Sequence, residues 1–235
     1  MLTNLIESRL LTGDQSLYQA VMEKSRRDRI WSSEQFFLAK WEEQRERHKR
    51  TDNSEYNLEP NVKTSPGGLR DIQTICWITL RCFDEGDIGV LAARGVLTDI
   101  EAQSFIEGMH FLWRARYALH MISGRHEDRL LFEFQLKVAE VFGFTDDNSN
   151  LAVEKFMHEY YRRVMLLAEL NDVLIQYFDL ELIKKNEPEE FIELNGNFCV
   201  RNGYIDVVDE QVFERDLAAL MEIFVLMGEH SYIPV

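Results

Sequence analysis

The stretch Gly67-Gly68-Leu69-Arg70-Asp71 sets two glycines, a guanidinium and a carboxylate side by side. Glycines let main-chain amides approach a phosphate, and a carboxylate beside such a loop can bind a divalent cation. One carboxylate is not a two-metal centre. Nucleotidyl transfer needs two or three to hold the ions that steady attacking and leaving oxygens. On residue type alone, Asp71 reads more simply as an acidic residue in the first turn of a helix, where the dipole favours it.

Arginines gather in two further places, Phe111-Leu-Trp-Arg-Ala-Arg-Tyr117 and Gly124-Arg-His-Glu-Asp-Arg129. Guanidinium clusters suit bidentate capture of phosphate, whereas pairing with Glu127, Asp128 and Glu133 is the more ordinary use of such residues. The six histidines form no H-E-x-x-H pair and no His-Asp doublet, and His110 and His120 are too far apart on one helix to share an ion. No P-loop, G-x-G-x-x-G or G-x-S-x-G occurs. Cys76, Cys82 and Cys199 include no C-x-x-C and read as reduced thiols.

The elements that must position these residues are mostly helices. With only 4 prolines and 12 glycines in 235 residues, the chain lacks the turns that a sandwich or barrel needs. Helices are expected from Asp14 to about Ile30 and from Ser32 or Ser33 to Arg50. A long loop follows from Thr51 to Gly68, then a strand or helix start at Leu69–Gln73 and an apolar helical run through Phe83. Thr98 and Glu101 make a capping box for a helix that Gly124 closes. Further helices are expected over 128–142 and 149–182, and together they predict an antiparallel bundle. Tyr160, Tyr161, Met157 and Met165 follow its core spacing. Beyond Pro188, Phe198–Arg201 and Tyr204–Val207 flank Asn202-Gly203, which predicts a β-hairpin, and Asp209 caps a last helix ending near Gly228. The apolar run Leu217–Met227 so near the end suggests a piece of a longer protein.

The formal net charge of −15 argues against coating nucleic acid or an anionic membrane. It is unevenly placed. Residues 1–75 carry 12 basic and 12 acidic side chains, so the early segment is the better receiver of an anionic ligand. Glu7 and Arg9 break any apolar signal core, and no run of eighteen apolar residues occurs, which suggests a cytoplasmic protein.

Asn57-Leu-Glu-Pro-Asn-Val-Lys-Thr-Ser-Pro-Gly-Gly-Leu-Arg-Asp-Ile-Gln73, with Phe36–Lys40, Phe111–Arg114, Gly124–Phe132, Phe156-Met157, Tyr160-Tyr161 and the Phe198–Val207 hairpin, closely resembles the bifunctional uridylyltransferase/uridylyl-removing enzymes of the PII nitrogen-regulatory protein. A related Gly-Gly-Ile-Arg motif occurs in glutamine synthetase adenylyltransferases. The resemblance implies a polymerase-β-like nucleotidyltransferase fold in which three carboxylates hold Mg2+, with Asp71 the candidate third carboxylate, both catalytic and metal-binding. Lys63, Gly67, Gly68 and Arg70 are then candidates for contacts to UTP. The Gly-Ser…Asp-x-Asp pair, the His-Asp phosphohydrolase motif and the glutamine-sensing ACT domains of that family are absent.

The expectation is therefore a mainly α chain in three parts. Residues 1–75 would end an incomplete polymerase-β-like nucleotidyltransferase domain, 76–185 would be a helical bundle, and 186–235 a hairpin and helix leading toward an absent hydrolase domain. The implied reaction transfers UMP from UTP to a tyrosine of PII, glutamine acts as effector through absent domains, and the fragment alone is inactive. The alternative is a non-catalytic docking or relay module in which Asp71 is a cap.

Overall fold

The computed structural model describes residues 2–26, 29–50, 57–186 and 190–230. The described residues form ten α-helices and one three-stranded antiparallel sheet near the carboxyl end, so the chain is mainly α. They divide into two compact units, 1–178 and 179–235.

In the first unit, α1 (Leu2–Ile6) precedes α2 (Gln15–Lys24), which Asp14 caps by accepting the Ser16 and Leu17 N–H groups. Helix α2 stops at Lys24, short of the expected Ile30. The cause is Arg81, buried on the later helix α4 (Leu69–Phe83). Its guanidinium donates to the carbonyls of Ser25, Ile30 and Trp31 and so holds the chain in a turn. Part of the expected extension, 27–28, lies outside the described residues. Helix α3 (Ser33–Arg50) follows and packs on α4, burying Phe36 and Phe37.

Leu69–Gln73 is helical, which resolves the strand-or-helix ambiguity in favour of α4, whose buried face includes Ile72, Ile75 and Ile78. Short α5 (Gly89–Ala93), which periodicity misses, leads to α6 (Asp99–Ser123). The Thr98/Glu101 capping box opens α6, and Gly124 closes it at φ +66°. Helix α7 (Phe132–Val141) starts later than the expected 128, because residues 128–130 bond to residues 60–62 instead. Helix α8 (Ala152–Leu182) lays Phe156, Tyr160, Val164, Leu167 and Leu174 into the core, each at most 1% exposed. Burying side chains of this size contributes about 1.5–3 kcal/mol each. Among the described residues of this unit no strand forms, only an isolated bridge between Asn61 and Arg129.

In the second unit, β2 (Phe198–Arg201) and β3 (Tyr204–Val207) form the expected hairpin, with Arg201 opposite Tyr204. Asn202 and Gly203 take φ +53° and +86°, the two positive values that a tight primed turn requires. A strand not expected from sequence, β1 (Phe191–Glu193), adds to the β2 edge. The expected last helix is two, α9 (Val212–Arg215) and α10 (Ala219–Glu229). Asp216 breaks them by leaving helical geometry and accepting the Ala218 N–H. Phe198, Ile205, Val212, Ala219 and Leu226 form this unit's core.

Candidate functional site

The motif loop between Asn57 and α4 has no regular structure, yet each amide from Asn61 to Arg70 has a partner, Pro66 having none to offer. Asn61 Oδ1 accepts from Lys63 and Thr64 at 3.0 and 2.9 Å, and Ser65 Oγ accepts from Asn61 at 3.1 Å. Val62 donates to the Asp128 carbonyl, Leu69 to Val62 and Arg70 to Lys63. Asn57 also accepts from the Tyr161 hydroxyl, which ties the loop entrance to α8. This is an Asx-turn continued by side-chain bonds, and it satisfies the backbone without a helix or sheet.

The glycines serve packing. Gly67 has φ +70°, and a Cβ there would sit 2.2 Å from the Val164 carbonyl oxygen of α8; at Gly68 it would sit 2.7 Å from the Ser65 carbonyl oxygen. Their amides are engaged internally, Gly67 N–H with Asp71 Oδ2 at 2.9 Å and Gly68 N–H with Ser65.

Asp71 lies in the first turn of α4 and is 1% exposed. Arg47 donates to Oδ1 at 2.5 Å, and His48 Nε2 lies 3.1 and 2.9 Å from Oδ1 and Oδ2. A buried carboxylate needs such partners to offset its desolvation. Asp71 therefore joins α3, the loop and α4 at one point. It also lines a small cavity of about 190 Å3 with Gly67, Asn171 and Asp172. Arg47 and His48 are partners that sequence reasoning missed, because the basic end of α3 reads as ordinary helix termination.

A second hub forms at Asp128, which accepts from Arg116 Nε at 2.7 Å, with His120 Nε2 at 3.1 Å and Lys63 Nζ at 3.8 Å. Burial works to raise this carboxyl, but the Arg116 and His120 hydrogen bonds and the Arg116 and Lys63 charges outweigh it and hold it below its ordinary value. Arg125 pairs with Glu127 and Arg129 with Glu59, so these arginines have protein carboxylates as partners. The Lys63 side chain is thus directed to Asp128, while its carbonyl accepts from the Arg70 N–H.

Arg70 lies beside a larger cavity, of about 500 Å3, with Thr64, Lys40 and Trp77 among its walls. The structure distributes the five sequence candidates over three places. Gly67 and Asp71 meet at the buried hub, Gly68 closes the loop beneath them, Lys63 faces Asp128, and Arg70 faces the open cavity. Among the described residues, no group of three His, Cys, Asp or Glu could hold a metal ion. Cys76, Cys82 and Cys199 form no disulfide, and burial pushes the Cys76 thiol up to about 11, which disfavours its thiolate. No described helix is long and apolar enough to cross a membrane.

Residues 35–175 match the family model of the GlnD PII-uridylyltransferase, and residues 198–234 match that of the uridylyltransferase GlnD third domain. Bifunctional uridylyltransferase/uridylyl-removing enzymes are similar over 99% of this chain. The one from Pseudomonas aeruginosa (strain UCBPP-PA14) is 47% identical, that from Pseudomonas savastanoi pv. phaseolicola 45%, and that from Ectopseudomonas mendocina 43%. The chain spans 26% of the length of these relatives. No solved structure matches it.

Proposed function

Because the chain belongs to the PII-uridylyltransferase family, we propose that it is the helical part of an enzyme that transfers UMP from UTP to a tyrosine of PII, and that it is inactive alone. The observation that carries this reading is the meeting of matched segments. The loop 57–68, the α3 end, the 124–132 stretch and α8 close on one another around two carboxylates, the buried Asp71 and the half-buried Asp128. Such a construction fixes the orientation of Arg70 and of the bundle wall, which is what a transferase needs from the part that positions nucleotide and protein acceptor. In this reading the uridylyl-removing activity and the response to glutamine reside in parts of the enzyme outside this chain. Residues 1–75 adjoin the nucleotidyltransferase centre, 76–185 form the bundle, and 186–235 lead onward.

The residues described do not by themselves fit a magnesium ion. Asp71 already has Arg47, His48 and the Gly67 N–H at its oxygens, and Asn171 and Asp172 complete no ligand set with it. Magnesium, when bound in such a transfer, neutralises triphosphate charge. Asp71 here is a positioning residue that holds the motif loop against α3 and α8, while Arg70 contacts the phosphates.

Two substitutions in the full-length enzyme test this. Asp71→Asn is expected to lower UMP transfer and the unfolding midpoint together. Near-total loss of transfer with an unchanged midpoint and intact uridylyl removal would return Asp71 to the metal. Arg70→Gln is expected to raise KM for UTP with folding intact, and unchanged UTP dependence would remove Arg70 from the nucleotide.

A further inference from the structure

Of the two arginines in Phe111–Tyr117, Arg116 is engaged by Asp128, whereas Arg114 forms no ion pair among the described residues. Arg114 is exposed, and its Cζ lies 4.5 Å from the centroid of the Phe142 ring. It belongs to the outward face of α6. The inward face buries Phe105, Leu112, Ala115 and Leu119, so the opposite side of the helix presents Trp113, Tyr117 and Met121 at intervals of four, 42%, 69% and 67% exposed. Trp, Tyr, Met and Arg are the residue types that protein interfaces concentrate, and an apolar stripe left in water gains by being covered.

The same face lacks acid. Residues 108–126 contain no Asp or Glu, in a chain that has 41 of them. Arg116 Cζ lies 5.7 Å from the centroid of the Trp113 ring. Asp128 meets α6 from the segment that follows it, but Arg116, His120 and Lys63 enclose it, so two full cations face one anion there. On its other side Arg114 lines a groove of about 950 Å3 with Phe111, Phe142 and Phe144. Two carboxylates reach that groove and both are engaged: Glu159 accepts from Arg162 and Arg163, and Glu154 accepts the Leu151 N–H.

We propose that the outward face of α6 and the adjoining groove dock a segment of another protein in which acidic and apolar side chains alternate. The acids meet Arg114 and Arg116, while the apolar side chains cover Trp113, Tyr117 and Met121 and enter the aromatic groove. A short acidic segment brings few charges into the field of a chain of net charge −15, whereas a nucleic acid brings one with every phosphate. The surface shares no residue with the cavity beside Arg70 and does not rest on the transferase reading.

Fluorescence anisotropy tests this with the 235-residue chain and labelled synthetic peptides in which Glu alternates with Leu and Phe. Their counterparts with Lys in place of Glu, and a single-stranded oligonucleotide, are the comparison probes. Saturable binding of the acidic peptides is expected, weakened by added salt and lowered about tenfold or more in Arg114→Glu and in Tyr117→Ser. Both residues are exposed, so circular dichroism should not change. Phe224→Ser, which removes an exposed aromatic side chain from α10, is expected to bind as the parent does. Absence of binding by the acidic peptides, equal binding by the Lys peptides, or binding indifferent to both α6 substitutions would overturn the proposal. Tighter binding of the oligonucleotide would assign the face to nucleic acid instead, and light scattering that shows self-association lost in Tyr117→Ser would assign it to a second copy of the chain.

Discussion

At the scale of single residues, Gly67 shows how far a motif can be explained by space. Its φ of +70° costs an L-residue about 1–3 kcal/mol, and the Val164 carbonyl stands where a Cβ would go. Gly67→Ala is expected to destabilise the chain by about 3 kcal/mol, lowering the thermal midpoint by about 6–12 °C, as differential scanning calorimetry would measure. Asp128 gives a pH-dependent counterpart. Its folded-state carboxyl is held below the unfolded value, so its contribution is fully present above about pH 4 and is lost as pH falls through the folded value. Asp128→Asn should therefore lower the urea midpoint at pH 7 and make progressively less difference as the pH falls below the ordinary carboxylate range. Sequence alone made Asp71 and Asp128 visible as carboxylates in a motif and in an arginine cluster. It could not show that Arg47 and His48 reach Asp71 across 24 and 23 residues of chain, because nothing local encodes a long-range ion pair.

At the scale of elements, caps and turns were the most legible features. The Thr98/Glu101 box, Asp14, Gly124 and the Asn202-Gly203 turn all occur where local chemistry puts them. The ends that moved did so for tertiary reasons. Helix α2 stops early because Arg81 holds three carbonyls beyond it, and α7 starts late because residues 128–130 bond to the motif loop. Strand β1 escaped notice because it is three residues long and exposed, without an alternating pattern. Arg81→Met keeps the aliphatic stem and removes the donors, leaving the Ser25, Ile30 and Trp31 carbonyls without them. A loss of about 1–3 kcal/mol is expected, chiefly from the buried Ser25 carbonyl left unsatisfied, because Ile30 and Trp31 are exposed enough for water to replace the guanidinium. Limited proteolysis should then cut first between α2 and α3, and unchanged cleavage there would show that Arg81 does not hold the turn.

At the scale of the whole molecule, the scarcity of breakers and the helical spacing of apolar residues assigned the chain to the helical class. The division at residue 178 was not readable, because α8 continues through it with unbroken helical spacing. The second unit carries an apolar face on α10, where Met221, Phe224 and Val225 are 69%, 65% and 58% exposed. Its own core uses Ala219 and Leu226 from the opposite side. The motif loop has another consequence, one of time. Irregular segments ordinarily trade amide hydrogens with water quickly, but here the amides from Asn61 to Arg70 are all engaged and Gly67 is wedged beneath α8. Deuterium should therefore enter this coil as slowly as it enters the helices around it, in a single step when the unit opens as a whole.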